Sequence, residues 1–373
     1  MNDVDTIIQK YLPQSIREFK PYRPGKSSND FTKKKKYIKL SSNECGYPTA
    51  PLLLQSLRRY IKQDRLSRYP DDSVIELRKA LMKKHDISKE QLLITNGSND
   101  AIVAIARLLL ASGGEAICSD HCFAVFPWIV NQLGNTLHHV PTHRTPQHPF
   151  AQDLDALYGK VNRETRLLYL ANPDNPTGSY IPSKVLVSFI SSLPKSTFVI
   201  VDQAYFDFIK SEPALDFCSL IHEYPNCIVL RTFSKAYGLA QLRVGYLAAH
   251  ESLVAFLRST KLAFSVNGLA MHCANEVLHA PQNIKKQVSQ TIVLRKNLET
   301  IFDAHSIRYA PSQGNFISYH QTQQLNYHSL LDHGIITREL NEYGIAPYSR
   351  ISIGTPSEMK VLFSTIKKLL SHG

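Results

Sequence analysis

Long apolar runs are missing from this chain, and with them a helical membrane span. The best candidate, residues 101–111, is short and broken by Arg107. A bilayer-spanning helix needs roughly 20 apolar residues. The first twenty residues carry Asp3, Asp5, Lys10, Arg17 and Glu18 around no apolar core, so no secretory signal is expected. Cysteine is scarce: six residues, with no CxxC pair. Cys118-Ser-Asp-His121-Cys122 faintly resembles a metal motif, but no second pair completes a zinc site. His138, His139, His143 and His148 cluster, yet Pro141, Pro146 and Pro149 interrupt them and argue against a rigid ligand set. No metal is expected. Free buried thiols suit a reducing compartment, so the expected location is the cytoplasm. Acidic residues are also in short supply, 31 against 43 lysines and arginines, a formal charge of +12. That excess favours anionic partners without naming one. Part of it sits in the run Lys33 to Lys36, which reads as a solvated loop. No nucleic-acid recognition motif accompanies the run, and none is expected to act there.

What is present suits a large folded protein. The 43% hydrophobic content excludes global disorder. The 373 residues suggest two or three units at about 150 residues each. The first 40 are irregular, with Pro13, Pro21, Pro24 and Gly25, and read as an arm. From residue 92 to about 261, short apolar runs alternate with helical stretches. Leu92 to Thr95, Leu167 to Ala171, Phe198 to Val201 and Ile228 to Arg231 read as strands. Continuous apolar strands belong to a parallel sheet covered on both faces. Residues 101–111, 183–193 and 215–223 read as helices between them, which gives an α/β fold. A long helix over 280–304 then leads into a small α+β unit. The expected division is an arm over 1–48, a large domain over 49–265 and a small domain over 266–373.

The polar residues fall at strand ends, where open α/β sheets bind ligands. One strand runs into Asn172-Pro-Asp-Asn175-Pro-Thr-Gly178, a second into Asp202-Gln203-Ala-Tyr205, and a third into Thr232-Phe-Ser234-Lys235. A fourth runs into Asn96-Gly97-Ser98-Asn99 ahead of an apolar helix. Free amides at that helix start form an anion site suited to phosphate, with Ser234 and Arg243 as further ligands. A lysine in such company reads as a Schiff-base lysine, nucleophilic once its pKa falls. Pyridoxal 5′-phosphate makes this joint demand: a lysine, a carboxylate for its ring nitrogen, donors for its phenolic oxygen and an anion site.

The chain resembles the fold-type I pyridoxal-phosphate aminotransferases, and within them the histidinol-phosphate aminotransferases, from about Leu40 to Leu370. The likeness rests on Ser41-Ser-Asn-Glu-Cys-Gly-Tyr47-Pro, Arg68-Tyr69-Pro-Asp, Asn96-Gly-Ser-Asn-Asp, the Asn172 and Asp202 segments, Thr232-Phe-Ser-Lys-Ala-Tyr-Gly-Leu-Ala-Gln-Leu-Arg243, Gly314-Asn-Phe and Arg350-Ile-Ser-Ile-Gly-Thr. It implies a doubly layered large domain with a mostly parallel sheet, plus a smaller α+β domain. It implies that Lys235 holds the cofactor and then moves the substrate proton. Asp202 would pair with the ring nitrogen, and Tyr205 and Asn175 would bond the phenolic oxygen. Phe123 would cover the ring, while Ser98, Asn99, Ser234 and Arg243 would bind the phosphate. Tyr69 would reach that phosphate from a second subunit, so the resemblance implies a homodimer. Arg350, Arg338 and Tyr47, the last from the partner, would grip the substrate's anionic group, with Asn175 nearby. The expected substrates are glutamate as amino donor and a phosphorylated keto acceptor. Two other readings share the fold: an aminotransferase of aromatic or varied amino acids, and a decarboxylase of threonine-phosphate type. The chain departs from the family's usual residues at Gln203 (glutamate), Gln241 (glycine) and Cys45-Gly46 (Asn-Pro).

Overall fold

The computed structural model describes residues 3–17, 26, 30–31, 36–47, 50–63, 67–70, 72–143, 145 and 148–371. Lys33 to Lys35, Pro21, Pro24, Gly25 and Pro146 lie outside the described residues. Within the stretch expected to be irregular, two short helices, Asp3–Tyr11 and Gln14–Arg17, precede a two-residue strand, β1 (Ile38–Lys39). A seven-stranded sheet follows, built from β2 (Leu92–Thr95), β3 (Glu115–Ser119), β4 (Thr136–Val140), β5 (Thr165–Ala171), β6 (Phe198–Asp202), β7 (Cys227–Thr232) and β8 (Gly245–Ala248). Its strand order is β2-β8-β7-β6-β5-β3-β4. Only β8 runs against its neighbours.

The expected strands are all here, each within two residues of its expected ends. Three strands were not anticipated. β4 lies at the sheet edge and is mostly solvent-accessible, so its sequence, Thr-Leu-His-His-Val, lacks an apolar run. It carries two of the clustered histidines: His138 bonds Glu115 at 2.8 Å, and His139 faces Cys118. β8 is four residues long and opens on glycine. β3 is short and starts on a glutamate. The stretch expected as a helix over 215–223 is a 3-10 helix, Phe217–His222.

The sheet is buried on both faces, and its side chains alternate between two cores. Leu168, Leu170, Val199, Val201 and Val229 face one core with the helices Asp72–His85, Ser183–Ser192 and Gly268–His279. Leu167, Tyr169, Ile200, Ile228 and Leu230 face the other with Ser98–Leu109, Val125–Gln132 and Glu251–Thr260. Period-two alternation with both sides apolar makes the strands read as unbroken hydrophobic runs. Each fully buried leucine or isoleucine contributes roughly 1.5–3 kcal/mol, so this layer dominates the stability.

A second, antiparallel sheet has the order β12-β13-β10-β9, from β9 (Tyr309–Ala310), β10 (Phe316–His320), β12 (Arg338–Glu339) and β13 (Tyr348–Ser352). β1 pairs in parallel with β11 (Ile335–Ile336), so the arm docks on this smaller unit. Leu40, Ile317, Ile351, Leu362 and Ile366 form its core. The helix Gly268–His279 belongs to the large sheet's core, beyond the cut expected at residue 266. The helix Pro281–Ala304 joins both units, with Val288 and Ile292 beside Tyr205 and Leu298 and Phe302 in the small core. We propose that the domain boundary falls inside that helix. Among the described residues, no helix is long and apolar enough to cross a membrane.

Candidate active site

β2, β3, β5, β6 and β7 all end on one rim of the large sheet. β8 runs the other way and so begins there. This reversal brings Arg243, two residues ahead of β8, to the same rim. A cavity of about 340 Å³ opens at the rim, between the large sheet and the small unit. Ser98, Asn99, Phe123, Asn175, Asp202 and Tyr205 line it. So do Ser234, Lys235, Arg243, Arg338 and Arg350. Eleven of the thirteen expected site residues are thus brought together by one chain.

Tyr69 and Tyr47 are not among the lining residues. Tyr69 is 73% exposed and stacks on Phe264 with ring centroids 4.1 Å apart. Tyr47 lies beside Thr291 of the long helix. Gln241 is exposed and outside the lining, so its side chain does not reshape the cavity floor. Gln203 is buried beneath the site, where its amide nitrogen donates to the Leu215 carbonyl at 3.4 Å.

Lys235 follows β7 by three residues, and its amine donates to the Ser42 carbonyl at 3.3 Å. Burial lowers its pKa to about 8, helped by the positive charges of Arg350 and Arg243 and opposed by Glu44 and Asp202. The amine is therefore available as a base or nucleophile close to neutral pH. Asp202 closes β6. Burial pushes its carboxyl above the ordinary range, and the Tyr169 hydroxyl, the Ala204 amide and the Lys235 charge pull it back. Tyr169 donates to Oδ2 at 2.8 Å and the Ala204 amide to Oδ1 at 3.0 Å. A carboxylate held in this way is prepared to receive a protonated ring nitrogen.

Burial also keeps the Tyr205 phenol well above its usual pKa, against the pull of Arg350 and Asn43. It stays a neutral donor. The Asn43 amide donates to the Tyr205 hydroxyl at 3.0 Å, and Ser352 and Asn315 hold Asn43 in turn. Asn43 and Tyr169 were not singled out from the sequence. Tyr169 carried a weak signal, a lone hydroxyl in an aliphatic strand. Asn43 carried none beyond its place in a recognised segment, because its partners lie more than 160 residues away.

The anion site forms where Gly97 opens the helix Ser98–Leu109. Gly97 has φ +80°, and a Cβ there would meet Arg243 Nη2 at 2.7 Å. Gly245 of β8 lies against the backbone of Gly97 and Ser98 and leaves room for no side chain. Arg243 is itself left-handed, φ 54°, and donates to Ser234 Oγ at 3.3 Å. A cation, a hydroxyl and free helix amides thus share one corner. Gly97→Ala is expected to strain the backbone by about 1–3 kcal/mol, because φ 80° with ψ 170° is a glycine-only conformation, and to displace Arg243. Cofactor affinity then falls about tenfold, measured by fluorescence titration of the apoprotein.

Opposite this corner, Arg350 Nη1 donates to the Asn175 side chain and Nη2 to the Ser41 carbonyl at 3.1 Å. Its Nε is buried with no hydrogen-bond partner, a donor left over for a ligand. Arg338 donates to Glu342 at 2.7 Å. The side chains present fit pyridoxal 5′-phosphate: an amine of lowered pKa, a buried carboxylate, a neutral phenol and an anion cradle that a single Cβ would fill.

Known proteins match this arrangement. Residues 35–366 match the family described as Aminotransferase class I and II. A histidinol-phosphate aminotransferase of Methylococcus capsulatus is 34% identical over 361 residues, covering 95% of this chain and 97% of the relative. One from Mannheimia succiniciproducens is 32% identical over 365 residues, with the same coverage. The crystal structure of histidinol-phosphate aminotransferase from Sinorhizobium meliloti in complex with pyridoxal 5′-phosphate superposes with TM-score 0.85 at 26% identity, over 97% of this chain and 98% of that one. The chain belongs to the class I and II aminotransferases and is a pyridoxal-phosphate enzyme.

Proposed function

We propose that the chain transfers an amino group between L-glutamate and imidazole acetol phosphate, yielding 2-oxoglutarate and L-histidinol phosphate. The observation that carries this reading is the placement of Arg338 and Arg350. They are directly paired across β12 and β13, and both line the cavity. Residues paired in this way have Cβ atoms about 4.5–5.5 Å apart. Two guanidinium groups rooted on neighbouring Cβ atoms of one cavity wall suit a dianionic phosphate better than a lone carboxylate. The curated relatives support the same substrate.

Pyridoxal phosphate supplies an aldehyde for the amine and a ring that withdraws electrons when its nitrogen is protonated. The chain's own residues do the rest. Lys235 would hold the cofactor and would take the proton from the substrate Cα. Asp202 keeps the ring nitrogen protonated. Tyr205 and Asn175 donate to the phenolic oxygen, and Phe123 covers one face of the ring. Ser98, Asn99, Ser234 and Arg243 hold the phosphate. Arg350 orients the substrate, and Arg338 selects it.

The acting species in this reading is a homodimer in the cytoplasm. Tyr69, Phe264 and the 81% exposed Leu262 leave large apolar side chains on the surface. Such side chains suit an interface with a second copy, which would carry Tyr69 and Tyr47 into the neighbouring site.

The test is a single half-reaction. Cofactor-loaded enzyme is mixed with L-histidinol phosphate, L-phenylalanine or L-threonine phosphate, and the absorbance of the lysine-bound cofactor is followed. L-Histidinol phosphate is expected to react fastest by far. Arg338→Ala should then raise its KM by about 10- to 100-fold, the loss of one charge-assisted hydrogen-bond pair. Faster reaction with phenylalanine would make this an amino-acid aminotransferase. Release of carbon dioxide from threonine phosphate would make it a decarboxylase.

A further inference from the structure

A third cation reaches the substrate end of the cavity, and it comes from the arm. Lys39 lines the cavity together with Arg338 and Arg350. Its direction follows from strand geometry. Ile38 packs against the core of the small unit and Leu40 is buried within it. Alternation along the strand sends Lys39, between them, to the other side. Pairing of β1 with β11 fixes that register, Lys39 opposite Ile336, two residues before Arg338. The following residues carry the same segment around the site: Ser41 and Ser42 accept from Arg350 and Lys235, and Asn43 donates to Tyr205.

Lys39 is held by one carboxylate. Its Nζ lies 2.8 Å and 3.0 Å from the two oxygens of Glu44. Both side chains are partly open to solvent, 32% and 46% exposed, so the pair is weakly held and readily exchanged. Arg338 donates to one oxygen of Glu342 at 2.7 Å, but its own side chain is only 11% exposed.

We propose that Lys39 is a specificity-determining contact for the anionic group of a phosphorylated substrate, and that Glu44 competes with that group for it. Resting on the histidinol-phosphate reading, the proposal adds a residue that selects for the phosphate. An incoming phosphate dianion carries more charge than the carboxylate and displaces it, so Lys39 turns from Glu44 to the substrate. A neutral hydroxyl cannot do this. Lys39 therefore discriminates by charge, while Glu44 sets how much charge is required.

The experiment compares kcat/KM for L-histidinol phosphate and for L-histidinol, its unphosphorylated counterpart, in the holoenzyme. Lys39→Gln is expected to lower the ratio of the two about tenfold, the loss of one charge-assisted contact. Lys39→Arg should restore most of it. Glu44→Gln should raise the ratio a few-fold and lower KM for the phosphorylated substrate. Glu44 also acts on the charge of Lys235, but that effect touches both substrates and cancels in the ratio. A Lys39→Gln enzyme that loses activity equally on both substrates, or keeps the wild-type ratio, overturns the role of Lys39 and leaves the histidinol-phosphate reading standing. A wild-type enzyme that does not distinguish the two substrates overturns both.

Discussion

Lys235→Ala is expected to fold and to lose turnover by about 10⁴-fold or more, since it removes both the attachment point and the proton carrier. The purified variant should lack the absorbance of lysine-bound cofactor and retain the wild-type circular dichroism. The fold survives because Lys235 makes few structural contacts, chiefly one hydrogen bond to Ser42. The apoprotein variant should even be no less stable than wild type at pH 7. A lysine whose folded pKa lies near 8, below its unfolded value, binds fewer protons when folded. Its burial therefore costs stability in full below pH 8, and the cost fades as pH rises from 8 to the ordinary lysine value of 10.5. Alanine removes that cost. The same titration predicts that wild-type apoprotein captures pyridoxal phosphate faster as pH rises through about 8, because only the neutral amine attacks. Turnover within tenfold of wild type would remove Lys235 from its assigned role.

Asp202→Asn carries the second large effect. The substitution keeps the shape of the side chain and, through Oδ1, the bond from the Ala204 amide, while its amide nitrogen would face a Tyr169 hydroxyl that must then accept rather than donate. Its main effect is to remove the charge that would hold a proton on the ring nitrogen. Turnover should fall about 10²- to 10³-fold, the scale of losing one preorganised electrostatic partner in a buried site. Cofactor affinity should fall as well, while thermal stability changes little or rises, since burial already disfavours the carboxylate. Steady-state turnover and thermal melts of the variant check both parts. An asparagine enzyme within threefold of wild type would show that the ring nitrogen needs no carboxylate here.

These two residues were also the most legible ones in the sequence. Asp202 closes one continuous apolar run and Lys235 follows another by a few residues, and a run buried on both faces advertises both its strand and its end. Legibility failed where strands are exposed or short. β4 at the sheet edge has no apolar run, and β8 has four residues beginning at Gly245. Without β8 the sequence could propose Arg243 as a phosphate ligand only from its charge and from resemblance, not from its place in the sheet. Its reversed direction is the physical reason that Arg243 meets Ser234 and Gly97. The helix Gly268–His279, expected beyond the boundary at 266, packs in the large sheet's core for a similar reason. Its apolar pattern shows that it is buried but not against which layer.

The substrate end divides most sharply between the two sources of information. By itself the sequence determined the α/β class and the cofactor, and it proposed residues to bind that cofactor, because most of those groups sit at the ends of strands in one sheet and each strand signals itself locally. The tertiary structure alone decided that Lys39, Arg338 and Arg350 share a wall, that Asn43 supports Tyr205, and that Tyr169 supports Asp202. Those contacts depend on register between β1 and β11 and between β12 and β13, and on the packing of one unit against the other. Register and packing are set between segments separated along the chain, with nearly 300 residues between β1 and β11, and no local pattern encodes them.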